Sequence, residues 1–174
     1  MKFHETELEG VFVLELELLE DERGFFARSW SPEEFAAHGL NPHIAQCNVS
    51  FNLRKGTVRG MHFQVAPHAE AKLVRCTRGA IFDVAVDLRP GSPTRYRWTA
   101  VELNADNRRL LYVPEGFAHG YQTLDDETEI FYQVSETYYQ ESARGLRWDD
   151  PRLGIGWPLP VSLISERDRA FELL

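Results

Sequence analysis

The chain has 174 residues, 43% of them hydrophobic and 26% charged, with a formal net charge of -8 at pH 7. That length suits a single domain spanning residues 1–174 with a substantial core, and the composition excludes a disordered or fibrous chain. The acidic balance argues against broad contact with nucleic acid or an anionic membrane, while a small phosphorylated ligand would need only a local cluster of arginines.

The N-terminus, Met1 to Glu5, lacks the apolar run of a signal peptide, and no stretch approaches transmembrane length, so a cytoplasmic location is expected. Cys47 and Cys76 form neither a CxxC pair nor a disulfide framework, and both read as buried thiols of a reducing compartment.

In chain order, Val11 to Leu19 alternates as a half-buried strand, with Leu14, Leu16 and Leu18 against Val13, Glu15 and Glu17. Asp21-Glu22-Arg23-Gly24 breaks it as a turn, and Phe25 to Trp30 resumes as a short aromatic strand. Ser31-Pro32-Glu33-Glu34 then signals a helix start, with Ser at the N-cap, Pro first and Glu three after the cap; Gly39 stops it after about two turns. Beyond Ile44 the pattern is short strands at 44–51, 57–64, 71–76, 80–88, 96–103, 109–113, 120–123 and 128–135. Arg78-Gly79 predicts a hairpin, and Arg89-Pro90-Gly91-Ser92-Pro93 a loop. The spacing implies an antiparallel sandwich or small barrel. From Tyr139 on, tryptophans and prolines read as a folded cover ending at Ser165-Glu166-Arg167-Asp168, whose charges either lie on the surface or return to a site.

The stretch that carries most chemistry is Val58-Arg59-Gly60-Met61-His62-Phe63-Gln64. Strict alternation sends Arg59 and His62 to opposite faces of a strand, but a bulge at Gly60 brings them to one face. A titratable base beside a fixed cation suits an anionic substrate; the competing reading is a hydrogen-bonded structural histidine. A second histidine closes Pro114-Glu115-Gly116-Phe117-Ala118-His119, which resembles the second motif of cupins, double-sheet jelly rolls that bind ligands at the barrel mouth. Metal-binding cupins carry an HxH element, whereas Phe63 and Gln64 follow His62 here. Two histidines fall short of the three protein ligands of a catalytic metal site, so no metal is expected.

Taken together, these motifs make the whole chain resemble the dTDP-4-dehydrorhamnose 3,5-epimerase family. The resemblance runs through Asp21-Glu22-Arg23-Gly24-Phe25-Phe26, Gln46-Cys47-Asn48, Arg59 to Gln64, Lys72 to Cys76 and Phe82 to Asp87. It continues through Val113 to Gly120, Arg147 to Pro151 and Leu163 to Asp168. It implies an all-β, cupin-type double-sheet jelly roll with short peripheral helices, and a cofactor-free epimerisation next to the C4 ketone of a nucleotide-linked 6-deoxyhexose. The substrate is then a nucleotide-diphosphate sugar and the assembly a homodimer. By the same resemblance His62 is the base, Asp168 its supporting carboxylate, Lys72 the cation near the C4 oxygen and Tyr132 the acid on the opposite face.

Arg23 and Arg59 match diphosphate contacts, where guanidinium forks give paired charge-assisted bonds. Gln46, Asn48, His119 and Arg167 match other substrate contacts, and Phe26 and Tyr138 match walls for the base or sugar. Each role has a plainer competitor: Lys72 as a solvent-facing strand lysine, Tyr132 as an amphipathic core residue, Asp168 as a surface charge. Three positions depart from the family pattern. Arg28 and Ala143 stand where carboxylates contact substrate, and Val49 where a histidine is common. Rival readings are an epimerase inverting C3 or C5 alone on another 4-ketosugar, and a non-catalytic cupin that binds a sugar or nucleotide.

Overall fold

A computed structural model describes residues 1–174. Its first strands are β1 (Lys2–Glu5), β2 (Phe12–Glu15), β3 (Leu19–Asp21) and β4 (Gly24–Phe26), followed by helix α1 (Pro32–Ala37). Then come β5 (Gln46–Asn52), β6 (Val58–Gln64), β7 (Lys72–Arg78), β8 (Ala80–Asp87), β9 (Trp98–Asn104) and β10 (Leu110–Val113). The chain ends with β11 (Phe117–Thr123), β12 (Thr128–Val134), β13 (Ala143–Gly145) and the one-turn α2 (Glu166–Arg169). Two antiparallel sheets face each other, one ordered β1-β2-β10-β7-β12-β5 and the other β13-β6-β11-β8-β9. This is the expected all-β, cupin-type jelly roll with short peripheral helices.

Between the sheets lies an apolar cluster built from alternate residues of both: Val74 and Cys76 on β7, Ile81 and Ala85 on β8, Leu111 and Val113 on β10, and Ile130 on β12. Period-two alternation sends the intervening residues outward, where each sheet needs a cover. On the six-stranded sheet α1 supplies one, with Phe35 packed among Leu14, Leu73, Leu110 and Tyr112. On the other sheet the chain beyond β13 does so. Leu146 and Leu153 pack with Met61, Val84, Val86 and Ala118, and Trp157 and Trp98 flank them. Both indoles donate to backbone carbonyls, Trp98 to Leu153 and Trp157 to Trp148. The folded cover predicted from these tryptophans is therefore present.

Several expectations need correction. The run at 11–19 is broken: β2 ends at Glu15, and Leu16 turns in against the α1 cluster. The aromatic strand reaches only Phe26, because β4 pairs with β3 in an isolated hairpin and has no sheet to extend. Ser31 is the N-cap of α1, but no capping box forms: its hydroxyl donates to Glu33, and Glu34 instead accepts the N-terminal ammonium at 2.8 Å. Arg78-Gly79 is a corner and not a hairpin, since β7 and β8 belong to different sheets. Gly79 (φ +73°) makes the passage, with Thr128 Oγ1 only 2.5 Å from where a Cβ would stand. Cys76 is buried as expected, but Cys47 is exposed, on the outward side of edge strand β5. No helix is long and apolar enough to cross a membrane.

Candidate active site

The site is assembled where β6 and β11 run side by side. Arg59 and His62 are three positions apart on β6, while their cross-strand partners Tyr121 and His119 are two apart on β11. The extra β6 residue falls at Gly60-Met61, the bulge predicted from the glycine. Gly60 sits at φ +138°, and a Cβ there would be 2.6 Å from Gly120 Cα, so the two backbones can approach only because both residues lack side chains. Met61 is thereby sent to the outer cluster, while Arg59 and His62 face one inner cavity with Ser50, Lys72, His119 and Tyr132.

His62 Nε2 lies 2.8 Å from Asp168 Oδ1, and Asp168 Oδ2 accepts the Gly60 amide at 3.2 Å. Asp168 returns to the site on α2, where Ser165 Oγ accepts its backbone N–H at 3.0 Å. Burial by itself would raise the Asp168 carboxyl, but the His62 ring and the Gly60 amide outweigh it and hold the group below the ordinary carboxylate range. An anionic carboxylate at Nε2 fixes the imidazole with that nitrogen protonated, which leaves Nδ1 to act as a base. Phe171 stands edge-on to the ring at 6.0 Å between centroids, and it can do so because Gly145 has no side chain to meet it.

Lys72, at the start of β7, does not face solvent: it is buried, 3.1 Å from Glu70 Oε1, and donates to the His62 carbonyl at 3.3 Å. Tyr132 reaches the same cavity from β12, neighbour of β7 in the opposite sheet. Burial, and then the Glu70 charge, push its phenol above the ordinary tyrosine value, with Arg59 opposing, so it is a protonated donor at neutral pH. His119 is buried, with Nε2 2.8 Å from Asp83 Oδ1. A wider cavity opens from this one, lined by Gln46, Asn48, Gln64, Tyr138, Arg144 and Arg167 and sharing His62, Lys72 and Tyr132. In a chain of net charge -8, four cations (Arg59, Lys72, Arg144 and Arg167) ring connected cavities. That local reversal suits an anionic ligand.

Of the twelve residues singled out in the sequence, ten line these cavities or, like Asp168, flank them. Arg23 and Phe26 do not. They sit on the β3–β4 hairpin, Phe26 exposed and Arg23 paired with Asp21. Among the departures from the family pattern, Ala143 lines the wider cavity, but Arg28 pairs with Glu34 at 3.7 Å and Val49 points outward from β5. Within the chain, those two are therefore not at the site.

Sequence reading also missed residues. Asp83 is fully buried in the middle of a strand whose only other charge is its last residue, Asp87, and the lone charge in Ile81-Phe82-Asp83-Val84 was the available signal. Asn52 accepts Arg59 Nε at 2.7 Å and, with Ser50, bonds the Tyr121 hydroxyl; no local pattern marked it. Glu70 lies in the loop before β7 and carried no signal either.

A base, a buried ammonium and a protonated phenol around one cavity can remove a proton beside a carbonyl, stabilise the enolate and return the proton. Comparison with known proteins agrees with that chemistry. The family model for dTDP-4-dehydrorhamnose 3,5-epimerase matches residues 5–174. A dTDP-4-dehydrorhamnose 3,5-epimerase of Sinorhizobium fredii is 44% identical, over 94% of this chain and 89% of that one. A dTDP-4-dehydrorhamnose 3-epimerase of Streptomyces niveus is 41% identical, over 100% of this chain and 84% of that one. The crystal structure of the 3,5-epimerase from Bacillus anthracis, with TDP and PPi bound, superposes with a TM-score of 0.95 at 42% identity, covering 99% of each chain. With the model matching nearly its whole length, this chain belongs to the dTDP-4-dehydrorhamnose 3,5-epimerase family.

Proposed function

We propose that this protein, acting as one domain over residues 1–174, epimerises a dTDP-linked 4-keto-6-deoxyhexose by proton transfer at the carbons beside the C4 ketone. The observation that carries the reading is the His62–Asp168 pair opening on the same cavity as Lys72 and Tyr132. His62 Nδ1 takes the proton from carbon, and the electron pair moves to the C4 oxygen. The Lys72 ammonium stabilises that oxyanion, and Tyr132 delivers a proton from the opposite face, leaving carbon inverted. No cofactor is required, because the ketone already on the sugar makes the neighbouring C–H acidic.

The diphosphate is held by Arg59, with His119, Arg167, Gln46 and Asn48 as further contacts and Tyr138 as a wall for the base. Arg23 and Phe26 fit the reading through a homodimer. They are too far out on their hairpin to line their own cavity, so a second copy's hairpin would bring them to it. The free edge of β5, with exposed Val49 and Phe51 and with Leu53 just beyond it, and the exposed Leu19, Phe25 and Phe26 on the arms of the hairpin offer the surface for such a contact. A cytoplasmic location accords with a nucleotide-sugar substrate.

A second reading, inversion at one centre only, is favoured by the 41% identity to a relative named as a 3-epimerase and by Ala143 replacing a carboxylate in the cavity. Incubation with a dTDP-4-keto-6-deoxyhexose in deuterated water tests both. Deuterium at C3 and C5 is the expected result, deuterium at one centre establishes the second reading, and binding without exchange overturns both.

A further inference from the structure

Lys72 is held within the chain by an ion pair with Glu70 Oε1 at 3.1 Å and by a hydrogen bond that it donates to the His62 carbonyl at 3.3 Å. An ammonium has three N–H donors, so it keeps donor capacity for a ligand in the cavity that Lys72 shares with His62 and Tyr132. What fixes that direction is Glu70, itself clamped. Its other oxygen accepts Gln64 Nε2 at 3.2 Å, and Gln64 is anchored by the Tyr139 amide at 2.7 Å and by the His68 and Thr137 carbonyls, each at 3.0 Å. Both charged side chains of the pair are nearly buried, 10% and 12% exposed, so neither wanders as a surface pair does.

We propose that Glu70 is a positioning residue of this site: its carboxylate aims the Lys72 ammonium at the ketone oxygen and sets the charge around the Tyr132 phenol. The inference rests on the epimerase reading and extends it to a residue that touches no reacting atom. A carboxylate so close to the oxyanion partner looks counterproductive, because it offsets part of the charge meant for the enolate. Two gains compensate. The ammonium is held in one direction before substrate arrives, which spares its reorganisation in the transition state. The negative charge also opposes loss of the Tyr132 proton, as the upward displacement of that phenol by burial and then by Glu70 indicates. Other charged or titratable groups face Tyr132 as well. Arg59 and His62 do so from β6, Lys72 from β7, and His119 and Tyr121 from β11. Arg144 on β13, Arg167 on α2 and Tyr138 complete the set across the wider cavity. Among them all, Glu70 is the carboxylate.

Aim and charge separate in two variants. Glu70→Gln keeps the length and an acceptor oxygen beside Lys72, but removes the charge. Glu70→Asp keeps the charge and draws it back by one methylene. In Glu70→Gln, the alkaline limb of kcat is expected to move down by about half to one pH unit, with kcat at neutral pH within a few-fold of wild type. In Glu70→Asp, the limb should stay in place while kcat falls about tenfold and KM changes little, as for a misplaced transition-state contact.

Tyrosine 13Cζ NMR supplies a reading without substrate. There are only six tyrosines to resolve, and Tyr132→Phe assigns the signal. Titration of Tyr132 at lower pH in Glu70→Gln supports the inference; an unmoved titration, or equal kcat loss in both variants with no shift of the limb, overturns it. Absence of deuterium exchange in the wild-type protein would overturn the epimerase reading instead, and the NMR titration would still judge the charge of Glu70 separately.

Discussion

The inner face of the sandwich and its outer hairpin edge treat polar and apolar groups in opposite ways. Inside, Asp168, Asp83, Lys72 and His119 are buried, and each has a hydrogen-bonded or charged partner at 2.8–3.3 Å. Outside, Leu19, Phe26, Val49 and Leu53 each leave more than half their surface to solvent with no partner in the chain. Burying a charge costs several kcal/mol unless it is paired, and exposing an apolar cluster invites a cover. The polar groups of the first region are thus partnered within one chain, and the apolar groups of the second have no cover in it. The closed region holds the groups for reaction chemistry, and the open one leaves apolar surface available for assembly and for further ligand contacts.

The largest expected effect lies in the closed region. His62→Ala should lower deuterium exchange by about 10²–10⁴-fold while leaving nucleotide binding largely intact. Tyr132→Phe should reduce inversion more than it reduces exchange at the original face, measured by NMR on the product; equal loss would remove Tyr132 as the donor. Next comes the frame that holds the base. Gly60→Ala puts a methyl 2.6 Å from Gly120 Cα at a backbone angle L-residues avoid, so about 3 kcal/mol of stability should be lost in urea unfolding, and activity with it. The same methyl at Gly24 (φ +122°) meets nothing within 4 Å, and Gly24→Ala should cost less, only the backbone strain of about 1–2 kcal/mol.

On the open side, Arg23→Ala should raise KM about tenfold with kcat nearly unchanged, because a charge that only grips diphosphate contributes to uniform binding. Phe25→Asp should shift the sedimentation of a dimer to that of a monomer, leave the melting of the sandwich itself little altered, and raise KM along with it. An unchanged KM in a proven monomer would show that the hairpin completes no site.

Acid should break the closed region before the open one. The Asp168 carboxyl is held below its unfolded value, so its contribution is fully present above about pH 4 and is lost as the pH falls through the lower native value. The stability of Asp168→Asn, followed by urea unfolding at a series of pH values below about 4, should therefore fall less steeply with pH than that of wild type.

How much of this was legible in the sequence follows the same division. Strand positions from Gln46 onward were readable because alternation is written into each segment, and the Gly60 bulge because a glycine between two polar residues is a local mark. The catalytic-type residues were identifiable only through their place in a family pattern; nothing local distinguishes Lys72 from a surface lysine. Cross-sheet facts were invisible. That Gly79 turns the chain from one sheet to the other, that Glu70 clamps Lys72, and that Cys47 faces outward all depend on which strands are neighbours. β1 was missed because Lys2-Phe3-His4-Glu5 gains its strand character from pairing with β2, and α2 because a single turn has too few residues for a period.

The smallest effect sets the two regions side by side in one measurement. Cys76 lies in the core, and burial pushes its thiol up to about 12, so at pH 8 roughly one molecule in ten thousand carries the thiolate that reacts. Cys47 lies on the outward side of β5, next to the exposed apolar residues that a second copy would cover. A thiol reagent should therefore count one cysteine in the native protein and two in urea. If a second copy covers that edge, Cys47 should also react about tenfold faster in Phe25→Asp than in wild type. Equal rates in the two proteins would place the partner's contact elsewhere on the molecule, and the hairpin would then need another explanation for its exposed phenylalanines.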